Sequence, residues 1–112
     1  MSSQILSVSY DESLLKTREL LLKQHTKHGV TSALGFIEAV ARCEQEKFNL
    51  LILGHSIPPD DKQELIKAFR KSSAGRILAL HRLGETTQGA DATVDPTDID
   101  GLLETVGHLL HD

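Results

Sequence analysis

Asn49-Leu50-Leu51-Ile52-Leu53-Gly54-His55-Ser56-Ile57-Pro58-Pro59 is the stretch on which the fold turns. Four consecutive apolar residues, bounded by breakers and flanked by helical patterns, suit a strand buried on both faces at the centre of a parallel sheet. In such sheets, ligands bind beyond the carboxyl ends of the strands. The residue delivered to that end is Gly54, which has no side chain and therefore no chemistry of its own.

Outward from this strand the apolar residues change period in a regular order. Ile5, Leu6 and Val8 predict a first strand, followed by a helix from about Glu12 to Gln24 that Asp11 is placed to cap. Gly29 to Ala33 reads as a weaker second strand, and a helix from about Gly35 to Gln45 leads into the central one. A third helix is expected from about Asp61 to Lys71, ended by Ser72, Ser73 and Gly75 before a fourth strand at Ile77 to Leu80. Gly84 to Gly89 is short and polar, and Ala92 to Val94 forms a minimal fifth strand. The last helix starts near Asp98, where Ile99, Leu102, Leu103, Val106, Leu109 and Leu110 keep helical spacing. Five strands alternating with helices imply a parallel sheet with right-handed crossovers, covered on both faces. The expected class is a flavodoxin-like three-layer α/β sandwich with strand order 2-1-3-4-5. That class hosts many unrelated functions, so the strand ends must decide among them.

Composition narrows the choice. The 112 residues fit one domain spanning 1–112, with no linker, repeat or low-complexity segment. Twelve Lys and Arg against sixteen Asp and Glu give a charge of −4, with no basic block and only three Phe and one Tyr. Nucleic acid and anionic membrane are therefore poor partners. The opening Met1-Ser2-Ser3-Gln4 carries no charged segment followed by a long apolar core. No apolar run approaches the roughly 20 residues of a membrane span, so a cytoplasmic location is expected. Cys43 is the only cysteine, which excludes an internal disulfide and a thiolate-rich metal site. Its spacing from Phe36, Ala39 and Val40 places it on an apolar helix face as a buried, inert thiol.

Three segments resemble the receiver domains of two-component response regulators. Ile5-Leu6-Ser7-Val8-Ser9-Tyr10-Asp11-Glu12 is similar to the family's opening strand, which runs into two adjacent acids. Leu50-Leu51-Ile52-Leu53-Gly54 with Pro58 resembles its phosphoacceptor strand and loop. Gly89-Ala90-Asp91, then Asp95-Pro96 and the final helix, resembles its closing segment, where a lysine precedes the proline. The resemblance covers nearly the whole chain, yet every chemical position it implies has changed. Ser9 and Tyr10 stand where an acid pair would hold magnesium, or Tyr10 and Asp11 in a register shifted by one. Gly54 replaces the phosphoacceptor aspartate, His81 replaces a Thr or Ser that bonds the phosphoryl group, and Asp95 replaces the lysine that would pair with it. Two like charges a few ångströms apart cost on the order of 4 kcal/mol at an effective dielectric near 20. Asp95 therefore opposes a phosphate more than any lost ligand does. Only Arg82 to Gln88 separate His81 from Gly89, so the family's fourth helix should be shortened or missing. Ala92 or Thr93 occupies the place of its switching aromatic on the fifth strand.

The resemblance implies a degenerate, or pseudo-receiver, form without phosphorylation, cofactor or enzymatic activity. It would act in phosphorelay signal transduction by binding another signalling protein or a second copy of itself, through the first helix or the thinned face at Arg82 to Gln88. The alternative is a small-ligand or divalent-metal sensor built from His55, His81, Asp95 and Asp11, since imidazoles with a carboxylate suit transition metals, acid-base chemistry and pH sensing. A third reading has phosphate on a nonstandard residue, Asp11 or His55. His108 and His111, sharing a face with Asp112, and His25 with His28, read as helix-terminal histidines at a favourable dipole. Ser56 beside His55 lacks a third group and a Gly-x-Ser-x-Gly elbow, and so does not signal a hydrolase.

Overall fold

The computed structural model describes residues 3–82 and 84–111. In chain order these form β1 (Gln4–Ser9), α1 (Glu12–His25), β2 (Gly29–Leu34), α2 (Phe36–Gln45), β3 (Leu50–Leu53), α3 (Pro59–Ser72), β4 (Arg76–Leu80), β5 (Ala92–Val94) and α4 (Ile99–Leu109). The five strands make one parallel sheet in the order β2-β1-β3-β4-β5. This is the flavodoxin-like arrangement that the strand pattern predicts. Each β3 residue is fully buried, as a central strand covered on both faces requires.

Strand alternation sorts the core into two halves. Leu51 and Leu53 of β3, with Leu6 and Val8 of β1, pack toward Ala39 and Cys43 of α2 and Leu65 and Phe69 of α3. Leu50 and Ile52, with Ile5, Leu78 and Leu80, pack on the other face toward Leu22 of α1 and Leu102 and Val106 of α4. Each buried Leu or Ile stabilises by about 1.5–3 kcal/mol relative to exposure, so β3 anchors both halves.

The helix ends follow local chemistry. Asp11 caps α1 by accepting from Leu14 N–H at 3.1 Å, and Asp98 caps α4 by accepting from Gly101 N–H at 2.9 Å. α3 begins at Pro59, two residues before the expected Asp61, because proline suits the first helical turn and Asp60 and Asp61 then sit at the positive end of the dipole. The chain passes closely at Gly75, where a Cβ would collide with the Asn49 carbonyl oxygen.

Two histidine expectations need correction. His25 ends α1, but His28 is buried and its Nδ1 accepts the Ser3 N–H at 2.9 Å, so it pins the chain before β1 instead of serving a helix end. α4 stops at Leu109, and His111 follows in the left-handed region at φ 59°, so it does not continue the helical face of His108. Asp112, the third member of that group, lies outside the described residues.

Between β4 and β5 the described residues contain no helix. The segment is held by α3 instead. Gln63 Nε2 donates to the Gln88 carbonyl at 2.9 Å, Arg70 reaches the Gly89 carbonyl, and Ala90 packs against the α2–α3 core. Asp91 closes the segment onto β4, its Oδ2 accepting from Ile77 N–H at 2.7 Å while its own N–H donates to the Ile77 carbonyl at 2.8 Å. Beneath it, burial lowers the Lys62 ammonium from its ordinary range, partly offset by Glu85.

Candidate functional site at the strand ends

Gly54 leaves β3 by donating its N–H to the Val8 carbonyl at 2.9 Å. A Cβ placed on it would stand 3.1 Å from that carbonyl oxygen, 3.5 Å from Ser9 Cα and 3.4 Å from an Nη of Arg18. Arg18 therefore reaches into the place where the resemblance puts an acid. It comes from α1, is only 7% exposed, and donates from Nη1 to Ser7 Oγ at 3.2 Å and to the Val8 carbonyl at 3.3 Å. No carboxylate among the described residues pairs with it, and burial lowers its guanidinium to about 10. Sequence reasoning missed this residue. The signal was present: Arg18 falls between Leu15 and Leu22 on the buried stripe of α1, three residues from one and four from the other.

The remaining strand-end residues are tied into local structure. The Ser9 hydroxyl is fully buried, accepting the Asp11 N–H at 3.0 Å and donating to the Asp11 carbonyl at 3.1 Å. Asp11 spends Oδ1 on the helix cap. Tyr10 OH donates to Asp61 Oδ2 at 2.7 Å, and burial followed by that carboxylate raises the phenol well above its ordinary value. Ser56 Oγ accepts the Tyr10 N–H at 3.3 Å, so it serves the loop. These groups do not fit a magnesium ion. Magnesium is held by one or two carboxylates plus substrate phosphates, whereas here Asp11 is used as a helix cap, Asp61 accepts from Tyr10 OH, and a buried cation lies beside Gly54.

The four residues of the sensor alternative do not converge on one point. His55 and Asp95 line a groove between α1 and α4, whereas His81 and Asp95 line a separate pocket of about 230 Å³ beyond β4 and β5. Asp11 lines neither. Asp95 turns back on its own loop, its Oδ1 accepting from Thr97 Oγ1 at 2.6 Å and Thr97 N–H at 2.8 Å, which holds its carboxyl below the usual range. Arg82 and His55 lower it further. His81 is 8% exposed, and its buried Nε2 has no hydrogen-bond partner. Among the described residues no group of three or more His, Cys, Asp or Glu is placed to hold a metal. Cys43 is buried in the α2–α3 core as expected, and burial followed by Glu44 pushes its thiol up to about 11.

No protein-family model matches the chain, and no curated protein matches it in sequence. Solved structures do. A two-component response regulator from Clostridium difficile superposes with a TM-score of 0.83 at 19% identity, over 98% of this chain and 97% of that one. A CheY-like response regulator receiver domain protein from Methanospirillum hungatei JF-1 gives 0.82 at 24% identity, over 99% and 95%. CheY6 from R. sphaeroides, solved in complex with the phosphorylated P1 domain of CheA3, gives 0.77 at 17% identity, over 98% of each chain. The chain has the CheY-like fold of response regulator receivers, with four helices about the five-stranded sheet. Among the described residues, no helix is long and apolar enough to cross a membrane.

Proposed function

We propose that the 112 residues act as one receiver-like domain that takes no phosphate and works by binding another signalling protein. The observation that carries this reading is the pairing of Gly54 with Arg18. The position of the acceptor has no side chain, and a buried guanidinium from α1 closes the space beside it. Asp95 adds a negative charge where a lysine would meet phosphate. With Ser9, Tyr10 and Asp11 engaged in the loop, no side chain at this corner is set up as a nucleophile or as a base for one, and the domain is not an enzyme. It acts in the cytoplasm, in a phosphorelay.

Of the two candidate surfaces, α1 is the better supported. Leu14 and Leu20 on α1 are 39% and 60% exposed, and Ile99 at the start of α4 is 53% exposed beside them. The described residues of the thinned face at Arg82 to Gln88 are Arg82, Gly84, Glu85, Thr86, Thr87 and Gln88, with no apolar side chain among them. Exposed apolar side chains that share a groove mark contact surfaces. The partner is a signalling protein or a second copy of the chain.

The test is a pair of amide correlation spectra with and without magnesium and beryllofluoride, a mimic of an acyl phosphate. Peaks of Asp11, Gly54, His81 and Asp95 should stay in place. Saturable shifts there would refute the absence of phosphate recognition. Crosslinking and pull-down with the native chain and Leu20→Asp then examine the surface. A partner or dimer retained unchanged by Leu20→Asp would rule out α1.

One observation favours the sensor as a second reading. The buried Nε2 of His81 lacks a partner at the edge of a pocket shared with Asp95, and buried polar atoms are ordinarily satisfied. A zinc titration giving neither heat nor stabilisation would remove the metal form of that reading.

A further inference from the structure

The groove between α1 and α4 has about 400 Å³ of space, within the range of small-molecule sites. Its walls are apolar, from Leu14 and Leu21 of α1, Leu80 of β4, and Ile99 and Leu102 of α4. Arg18 is the one Arg or Lys in this lining, which also includes His55. Its Nη1 hydrogen bonds go to two neutral acceptors at 3.2 and 3.3 Å. The N–H groups on Nε and Nη2 find no acceptor among the described residues, and these two nitrogens are not among the atoms sealed from solvent. A buried charge without a counterion is costly, and a carboxylate is the planar, two-oxygen partner that a guanidinium pairs with most strongly. Asp95 and Asp98 line the same groove, each with an oxygen accepting within a turn or cap.

We propose that this groove is a binding site for a small monocarboxylate with an apolar body, the head on Arg18 and the body between α1 and α4. The charge arrangement sets the selectivity. One anionic head pairs with Arg18, and a second anionic group in the same groove would meet the carboxylates of Asp95 and Asp98. The same apolar length without a charge leaves Arg18 unpaired, and is expected to bind at least tenfold more weakly, since a charge-assisted hydrogen bond contributes about 1.5–3 kcal/mol. This site is independent of whether the domain takes phosphate. Occupation would fill the hollow between Leu14, Leu20 and Ile99 and so change the surface that a partner meets.

The experiment is a titration of the full chain with octanoate below its micelle concentration, read by amide shifts, with octanol and octanedioate as controls. Saturable shifts of Leu14, Arg18, Leu80 and Ile99 are expected with octanoate, and binding at least tenfold weaker with either control. Arg18→Met should weaken octanoate binding at least tenfold. Ile99→Glu, at an exposed position where folding is not at stake, should weaken it by repulsion. Octanol binding as tightly as octanoate, shifts that do not saturate, or octanoate affinity left unchanged in Ile99→Glu or in folded Arg18→Met would each overturn the proposal.

Discussion

Replacing Arg18 by methionine should make the protein more stable, although it removes two hydrogen bonds. Burial holds the guanidinium at about 10 instead of its usual value above 12, and at 1.36 kcal/mol per decade this corresponds to a desolvation cost of about 3 kcal/mol. The bonds lost are long ones to neutral acceptors, at 3.2 and 3.3 Å. The Val8 carbonyl keeps the Gly54 N–H at 2.9 Å, so only the buried Ser7 hydroxyl is stranded, at about 1 kcal/mol. Methionine follows the same stem path between Leu15 and Leu22 and adapts to irregular space. The balance is a gain of about 1–2 kcal/mol, equivalent to several degrees in Tm. Urea unfolding followed by circular dichroism reads it directly. A midpoint that moves up with an unchanged slope supports the reasoning. A loss of more than about 1 kcal/mol would refute it, showing that Arg18 is stabilised in place by interactions beyond the two to Ser7 and Val8.

Gly54→Asp should fold but gain no mass with acetyl phosphate, because its carboxylate meets Arg18 before any metal; a stoichiometric gain of phosphate would contradict the site geometry. Gly75→Ala should lose about 1–3 kcal/mol through overpacking, since its Cβ would collide with the Asn49 carbonyl, and unchanged denaturant midpoints would count against the close passage there. Cys43 titrates at about 11 in the folded protein and near 8.5 when unfolded. Between those values the folded state binds more protons, so its contribution to stability is complete below about pH 8.5 and is lost as pH rises toward 11. Cys43→Ala, compared with the native chain across that range, should show a flatter decline, and parallel declines would exclude the thiol as their source.

Most of the fold was legible because it rests on local pattern. The block Leu50 to Leu53 marks the central strand, Asp11 and Asp98 sit where caps belong, and the short spacing from His81 to Gly89 leaves no room for a full helix. The site was less legible because its contacts join residues distant in sequence. Tyr10 finds Asp61 fifty-one residues away, and Arg18 reaches the neighbourhood of Gly54 across the top of β1. A charged residue on a helix is read by default as solvated. Only its register with Leu15 and Leu22 marks Arg18 as buried, and that register carries no information about what the guanidinium meets. His55 and His81 fall at neighbouring strand ends, as their order implies, yet they face different hollows because side-chain direction is set by packing.

The three-residue length of β5 has a consequence for association through the backbone. A sheet edge recruits another strand through its row of unpaired amides and carbonyls, and very short edges are one way proteins blunt this. Ala92–Val94 offers too few such groups to template a partner, whereas β2, at the opposite edge, runs for six residues. If copies of this chain ever join sheet to sheet, they will do so across β2. The end of the molecule where the described residues between β4 and β5 form no helix thus offers little backbone for a further strand.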